Sequence, residues 1–228
     1  MTSQVNMREF CDTISNDYAK FLKNKTKGME FNLIIKYAKK KGKTLDLCCG
    51  TGRYLIPLTK QGYNIEGIDF SKGMIREAKA FAKKENIKIK INDGDATSIK
   101  KKNATYDTIL LLGDSLGSIP GKENRQKTLM ECYRILKRRG ILICTVGNRN
   151  TNLRFFLQHL KQYVSNLSNS NFIYGDRIYD FLCSKGIHHD YSKNEIEESL
   201  RKSNFKINKI IKGKADLNYK LIYICSKN

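Results

Sequence analysis

Between residues 44 and 147, short apolar runs alternate with amphipathic segments, and this rhythm most constrains the fold. KTLDLCC, NIEGIDF, YDTILLLG and ILICTVG are almost continuously apolar and too short for helices. Strands of that kind are covered on both faces, which is the condition of a parallel sheet. IKIKIN adds a strand of alternating pattern. The covers lie between them: RYLIPLTKQG closed by Gly62, SKGMIREAKAFAKKEN with Ser71 as N-cap, and KENRQKTLMECYRILK ending in a turn at KRRG. Parallel neighbours need a crossover rather than a hairpin, so each helix returns the chain to the same end of the sheet. The pattern predicts an α/β, doubly wound sheet.

The flanks read differently. Residues 5–24 have helical spacing, with Phe10, Ile14, Tyr18 and Leu22 four apart, and 28–41 reads as an amphipathic helix. After 151, NLRFFLQHLKQYVSNL reads as a helix, and the aromatic-rich NFIYGDRIYDFLCSKGIHHDY as strands of a small cap or edge addition. Ser192-Lys-Asn-Glu195 is a capping box that opens another helix. NFKINKIIKG and NYKLIYICSKN read as two antiparallel strands with a turn near Gly213–Asp216. We therefore expect one domain over 1–228: a helical lid (1–42), a ligand-binding core (43–150), a cap (151–191), and a terminal helix with a strand hairpin (192–228).

Composition excludes some classes. No apolar run is long enough to span a bilayer, and MTSQVNMREF has no apolar signal core, so no membrane association and a cytoplasmic protein are expected. Seven cysteines occur without a CxxC, and Cys48, Cys132, Cys144 and Cys225 lie among apolar neighbours, which reads as reduced, mostly buried thiols. The Cys48–Cys49 pair lacks a second ligand pair, and adjacent His188 and His189 point to opposite faces of a strand, so no metal is expected. The formal net charge is +21, with Lys far outnumbering Arg. That excess suits either nucleic acid or a bias toward residues with A/T-rich codons.

The stretch LDLCCGTGRYL places two glycines just past the first strand, where ligands bind in such sheets. Gly50 and Gly52 permit positive φ and close approach to the backbone. A dinucleotide turn would want a third glycine where Leu55 stands, and no phosphate-binding GxxxxGK[ST] is present. Asp69 ends the second strand, where a carboxylate can accept both hydroxyls of a ribose. Asp95 follows the third, within reach of an exocyclic amine. Carboxylates at successive strand ends, with no phosphate cradle, suit a cationic adenosine ligand.

Five stretches in order, LDLCCGTGR, GIDFSKGMI, NDGDATSI, YDTILLLGDSLGSI and ILKRRGILI, resemble the motifs of class I S-adenosylmethionine-dependent methyltransferases. The resemblance covers about residues 44–147. Cys48 replaces the family's first glycine, and Arg138-Arg139-Gly140 replaces its Pro-Gly-Gly turn. The family implies a seven-stranded, mostly parallel sheet with its last strand inserted antiparallel. It implies S-adenosyl-L-methionine as cofactor and S-adenosyl-L-homocysteine as product. It assigns the methionine and ribose part to Asp46, Cys48, Gly50, Gly52 and Arg53, the ribose diol to Asp69 beside Phe70, adenine to Asp95 and Ala96, and the methyl end to Gly113. Tyr18 would close over the site, and reads equally as a core-facing helix residue.

The acceptor is less legible. The Asn/Asp-Pro-Pro-Tyr/Phe motif of enzymes acting on nucleic-acid bases is missing. LLLGDSLGSI and GNRNT resemble glycine/sarcosine N-methyltransferases and related small-molecule enzymes. Arg149 matches their carboxylate-binding arginine, while Asp114 replaces an asparagine and would favour a cationic amine over a carboxylate. Asp114 also reads as a turn residue, and Arg149 as a surface ion-pair residue. His188, His189 and Tyr191 fall in the cap, where they would either face the acceptor or serve structure. Catalytic candidates are thus Asp114, Arg149, Tyr18 and His188. The basic clusters Lys39–Lys41 with Lys43, Lys100–Lys102 and Lys137–Arg139 fall at the amino ends of strands, opposite the cofactor. That favours a small acceptor, an amine, over the alternative, an RNA base stacked on aromatics such as Tyr163, Phe172, Tyr174, Tyr179 and Phe181. Oligomeric state is not legible.

Overall fold

A computed structural model describes residues 6–22, 28–169, 172–181, 184–213 and 219–228. Seven strands form one sheet in the order β3-β2-β1-β4-β5-β9-β8. β1 (Thr44–Leu47), β2 (Ile65–Asp69), β3 (Ile91–Asp93), β4 (Tyr106–Leu111) and β5 (Leu136–Gly147) run parallel. β9 (Lys220–Ser226) inserts antiparallel beside β5, and β8 (Lys206–Lys212) pairs antiparallel with β9. The hairpin turn expected near Gly213–Asp216 falls largely outside the described residues.

α3 (Leu55–Lys60), α4 (Lys72–Lys84) and α5 (Lys122–Ile135) are the crossovers. Ser71 caps α4 by accepting the Met74 amide at 3.0 Å. The strands are buried as their apolar runs require, β1 and β2 at every position. One core cluster holds Leu45, Ile109, Leu111, Leu129 and Leu142 at 0% exposure, so truncating any one to Ala costs roughly 2–5 kcal/mol.

Two expectations change. IKIKIN contributes only Ile91 and Asn92 to the sheet, in a strand that ends at Asp93 and meets β2 over three residue pairs. The KRRG turn is a bulge inside β5, whose register jumps from Tyr106↔Leu136 to Thr108↔Ile141, with Arg139 at φ 58°. Lys137 is held there by Asp107 at 2.7 Å.

α1 (Met7–Leu22) and α2 (Met29–Tyr37) precede the sheet. Asp12 fastens α1 to the start of α4, accepting from Ser71 Oγ (2.6 Å) and the Gly73 amide (2.8 Å). α6 (Leu153–Ser165), the hairpin β6 (Asp176–Phe181) and β7 (Ser184–His189), and α7 (Lys193–Lys202) follow β5. No helix among the described residues is long and apolar enough to cross a membrane.

Candidate active site

A cavity of about 390 Å³ opens at the carboxyl ends of β1, β2, β3 and β4. That size suits a small ligand held largely within the protein. Its floor is made by Leu47, Cys48, Gly50, Asp69, Phe70 and the Asp95-Ala96-Thr97 turn. Gly113 and Ser118, in the loop after β4, form one wall, and Phe10, Cys11, Ile14 and Tyr18 of α1 form the roof. The cap reaches the cavity through Tyr179, which meets Phe10 edge-on at 5.6 Å.

The loop after β1 is shaped by backbone conformation. Gly50 has φ 53°, and a side chain there would find only Tyr18, at 4.0 Å. Gly113 has φ 65° and nothing within 4 Å of where its Cβ would stand. Both leave room against the backbone for a ligand. Cys48 also has a left-handed φ, 57°, at the place where the resembled family has glycine. An L side chain pays roughly 1–2 kcal/mol to sit there.

Asp69 lies 5% exposed on the cavity floor. Its Oδ2 accepts the Gly50 amide (2.7 Å) and its Oδ1 the Ser71 amide (2.9 Å). Burial raises its pKa to about 6, against the pull of those amides. Asp95 is exposed and bends back to Thr97, accepting from its amide and hydroxyl at 2.8 Å. Cys11 is a half-buried thiol, pushed up to about 12 by desolvation and then by the charge of Asp69.

Several expected site residues stand elsewhere. Asp46 is 2% exposed and is not on the cavity wall. Burial, then the charge of Asp69, raises its pKa to about 8, and its Oδ2 has no hydrogen-bond partner. Gly52 and Arg53 turn to a second hollow, of about 350 Å³, between α1, α3 and α4. Asp114 is not on the cavity wall either, contrary to the role expected of it toward an amine. Its φ of 69° turns it inward, where Oδ1 accepts the Gly147 amide at 2.7 Å. Arg149 is 9% exposed and donates to the Asp190 carbonyl (2.9 Å) and to Glu195 (2.5 Å), with Tyr174 beneath its guanidinium. It is an internal tie rather than a free carboxylate binder. His188 is buried behind Ser118, with Nδ1 3.1 Å from Ser118 Oγ and Nε2 3.0 Å from Asp114 Oδ2. His189 is tied to Asp176 (2.6 Å) and Glu195 (2.9 Å).

Sequence reasoning missed Glu30, Ser118 and Asp190. Glu30 is 1% exposed on α2, accepts the Gly113 amide at 3.1 Å, and is bonded by the Tyr54 hydroxyl. A glutamate one position into an apolar helical stretch, MEFNLII, was the available signal. Asp190 Oδ2 takes Arg177 Nε at 2.6 Å, with His159 at 3.2 Å. Burial alone would raise this carboxyl, but His159, His188 and Arg177 outweigh it and hold it well below the usual range.

The residues at the cavity fit a sulfonium nucleoside. Two glycines leave space against the backbone, and carboxylates stand at the ends of β2 and β3. Residues 44–140 match a family described as a methyltransferase domain. The chain is 29% identical over 165 residues to a ubiquinone biosynthesis O-methyltransferase of Rickettsia canadensis, covering 66% of this chain and 68% of that one. It is 31% identical to a glycine/sarcosine N-methyltransferase of Aphanothece halophytica, over 54% of this chain and 47% of the other. Three further curated methyltransferases match over 41% to 50% of their own length. The fold is shared with an S-adenosylmethionine-dependent methyltransferase of Methanosarcina mazei, at TM-score 0.75 and 20% identity, covering 86% of this chain and 96% of that one.

Proposed function

We propose that this S-adenosylmethionine-dependent methyltransferase transfers a methyl group to a small molecule bound between Gly113, Ser118, Tyr18 and Tyr179. The observation that carries the reading is the roofed cavity itself: α1 and Tyr179 close over the carboxyl ends of the strands and leave about 390 Å³. The relatives named for ubiquinone biosynthesis and for glycine/sarcosine act, by their names, on small molecules.

Asp69 would hold the ribose diol and Asp95 with Ala96 the adenine, while Cys48, Gly50, Phe70 and Gly113 flank the remainder. S-adenosylmethionine, when bound, supplies a methyl group already activated by positive charge. The protein's part is then to align an acceptor and exclude water, which in favourable cases is worth about 7–11 kcal/mol. Tyr18 and Tyr179 screen the cavity from above, Tyr18 meeting Phe181 at 6.0 Å. The inward turn of Asp114 removes the ground for choosing a cationic amine. The basic clusters lie at the amino ends of the strands, where Lys43 and Lys101 pair with Glu66 (2.9 and 2.6 Å) and Lys137 with Asp107. Phosphates gripped there would hold an RNA away from the cavity.

Calorimetry with S-adenosylhomocysteine tests the cofactor assignment. The wild type binds, and Asp69→Ala loses about 10²–10⁴-fold in affinity, the worth of two hydrogen bonds to a charged group. Because Asp69 also holds two buried amides, this variant should lose about 1–3 kcal/mol of stability yet remain folded by circular dichroism. Wild-type affinity in the variant overturns the assignment. Incubation with methyl-labelled cofactor, a metabolite extract and an RNA pool tests the acceptor class, and label in the RNA fraction overturns the small-molecule reading.

A further inference from the structure

We propose that Ser118, His188 and Asp114 form a buried relay that removes a proton from the methyl acceptor, and that the acceptor is therefore a weakly acidic hydroxyl of phenol or enol type. The inference rests on the methyltransferase reading and names the chemistry of its acceptor.

The geometry sets the direction of the relay. Ser118 lines the cavity, and its Oγ is 3.1 Å from His188 Nδ1, across 70 residues of sequence. On the far side of the ring, Nε2 faces Asp114 Oδ2 at 3.0 Å and Asp190 Oδ1 at 3.6 Å. Nε2 and Asp190 Oδ1 close no aligned hydrogen bond with each other, with Asp114 or with any other group of the described residues, so the carboxylates act on the ring by charge and proximity, and the two residues are 6% and 0% exposed. Two carboxylate oxygens beside one ring nitrogen repel a lone pair and favour a hydrogen, so Nε2 carries the N–H. Nδ1 is then the basic nitrogen, the Ser118 hydroxyl donates to it, and the lone pairs of Ser118 Oγ are left for the cavity. The ring is pinned: a Cβ on Gly117 would meet His188 Cε1 and Nε2 at 2.7 Å, and Tyr179 meets the ring edge-on at 6.3 Å.

The charges balance through the reaction. As the acceptor oxygen bonds to the methyl carbon, the carbon–sulfur bonding pair returns to sulfur and the positive charge of the sulfonium is discharged. The acceptor's proton passes to Ser118 Oγ while the Ser118 proton passes to His188 Nδ1. The imidazolium so formed stands between Asp114 and Asp190. A free amine brings its lone pair ready and needs no base before transfer, whereas a hydroxyl of pKa near 10 gains from one. The other titratable groups here are Arg177 and His159, both on Asp190, and Lys220, whose ammonium is raised by Asp114 despite burial. Asp114, His188 and Asp190 each bring one potential ligand atom within 4.8 Å of the others. With Arg177 and Lys220 already offsetting the two carboxylates, a dication gains little there.

Three histidines make the test direct. The ring nitrogens of ¹⁵N-histidine-labelled protein, with S-adenosylhomocysteine added, are assigned by single replacement of each histidine and followed by NMR. The relay requires the Nε2–H tautomer of His188 and an Nδ1 resonance that moves toward a free acceptor in Ser118→Ala. An Nδ1–H tautomer, an indifferent Nδ1 in Ser118→Ala, or stoichiometric metal in the purified protein overturns it. Turnover is read with labelled cofactor and catechol, 4-hydroxybenzoate and phenethylamine as probes. A hydroxyl probe should take label about 10²–10⁴-fold more slowly in Ser118→Ala and His188→Gln, with recovery in Ser118→Thr. Labelling of phenethylamine alone, or wild-type rates in Ser118→Ala, overturns the proposal. Failure of the wild type to bind S-adenosylhomocysteine sinks the methyltransferase reading instead, while the tautomer still reports on the triad.

Discussion

At the scale of single residues, the two buried aspartates of the core carry opposite lessons about charge. Asp69 has its pKa raised to about 6 by burial, yet it faces the cavity, where a ribose diol would donate to its ionised form. Affinity for S-adenosylhomocysteine should therefore be level above pH 7 and fall toward tenfold per unit below about pH 6, since the proton must first leave. Calorimetry across pH 5 to 8 measures this, and a flat profile contradicts it. Asp46 has no such reward, because it lies off the cavity and its Oδ2 finds no partner. A carboxyl whose folded pKa is raised contributes stability in full below its unfolded value, and loses it as pH climbs to the folded value, here about 8. Asp46→Asn removes that loss. It should match the wild type near pH 4 and gain on it by up to about 1.4 kcal/mol per unit between pH 4 and 8, read from urea midpoints. A variant less stable than the wild type at pH 8 would show that the bond from the Leu55 amide to the carboxylate outweighs its burial.

Elements differ in how far they could be read beforehand, and the difference follows the range of the forces that make them. β1, β2, β4 and the helices between them were legible because a strand buried on both faces shows as an apolar run, and Ser71 and Ser192 mark helix starts by local bonds. The bulge in β5 was read as a turn because Lys137–Gly140 resembles one. Only pairing with β4 shows that the strand resumes on the same line. The inward turn of Asp114 depends on φ 69° and on the amide of Gly147, neither of which leaves a trace in GDSLG. The contact of Ser118 with His188 joins two segments that have no common pattern. α7 shows what a legible cap does at a distance. Ser192 accepts the Glu195 amide at 3.2 Å, and Glu195 holds both His189 and Arg149. Ser192→Ala should cost about 1 kcal/mol in chemical denaturation. Glu195→Ala should cost more, because it leaves the buried Arg149 without its carboxylate and removes one of the two acids on His189. Equal costs would mean that the cap is the only role of this turn.

In the whole molecule, the cavity is assembled from segments that share no local structure. Its floor comes from the strand ends, its roof from α1, and one wall residue, Tyr179, from the β6–β7 hairpin. α1 is anchored by Asp12 on Ser71 and Gly73 and by the apolar packing of Met7, Phe10 and Ile14 with Met74 of α4. A ligand filling about 390 Å³ between roof and floor would bury the lower face of α1 without a new contact to the amino-end rim. Ligand that binds only the folded state stabilises it in proportion to the logarithm of its excess over Kd, about 2.7 kcal/mol at a hundredfold excess. Local opening of a roof is the cheapest opening such a ligand suppresses. Hydrogen exchange with and without S-adenosylhomocysteine should then show α1 and the loop after β4 slowed about tenfold or more, with Tyr179 and its neighbours following. The lysine-rich segments 39–43 and 100–102, at the opposite ends of the strands, should exchange as before. Slowing at those segments with none in α1 would place the ligand at the basic rim, and would make the charge of this chain, rather than its roofed cavity, the place to look for its substrate.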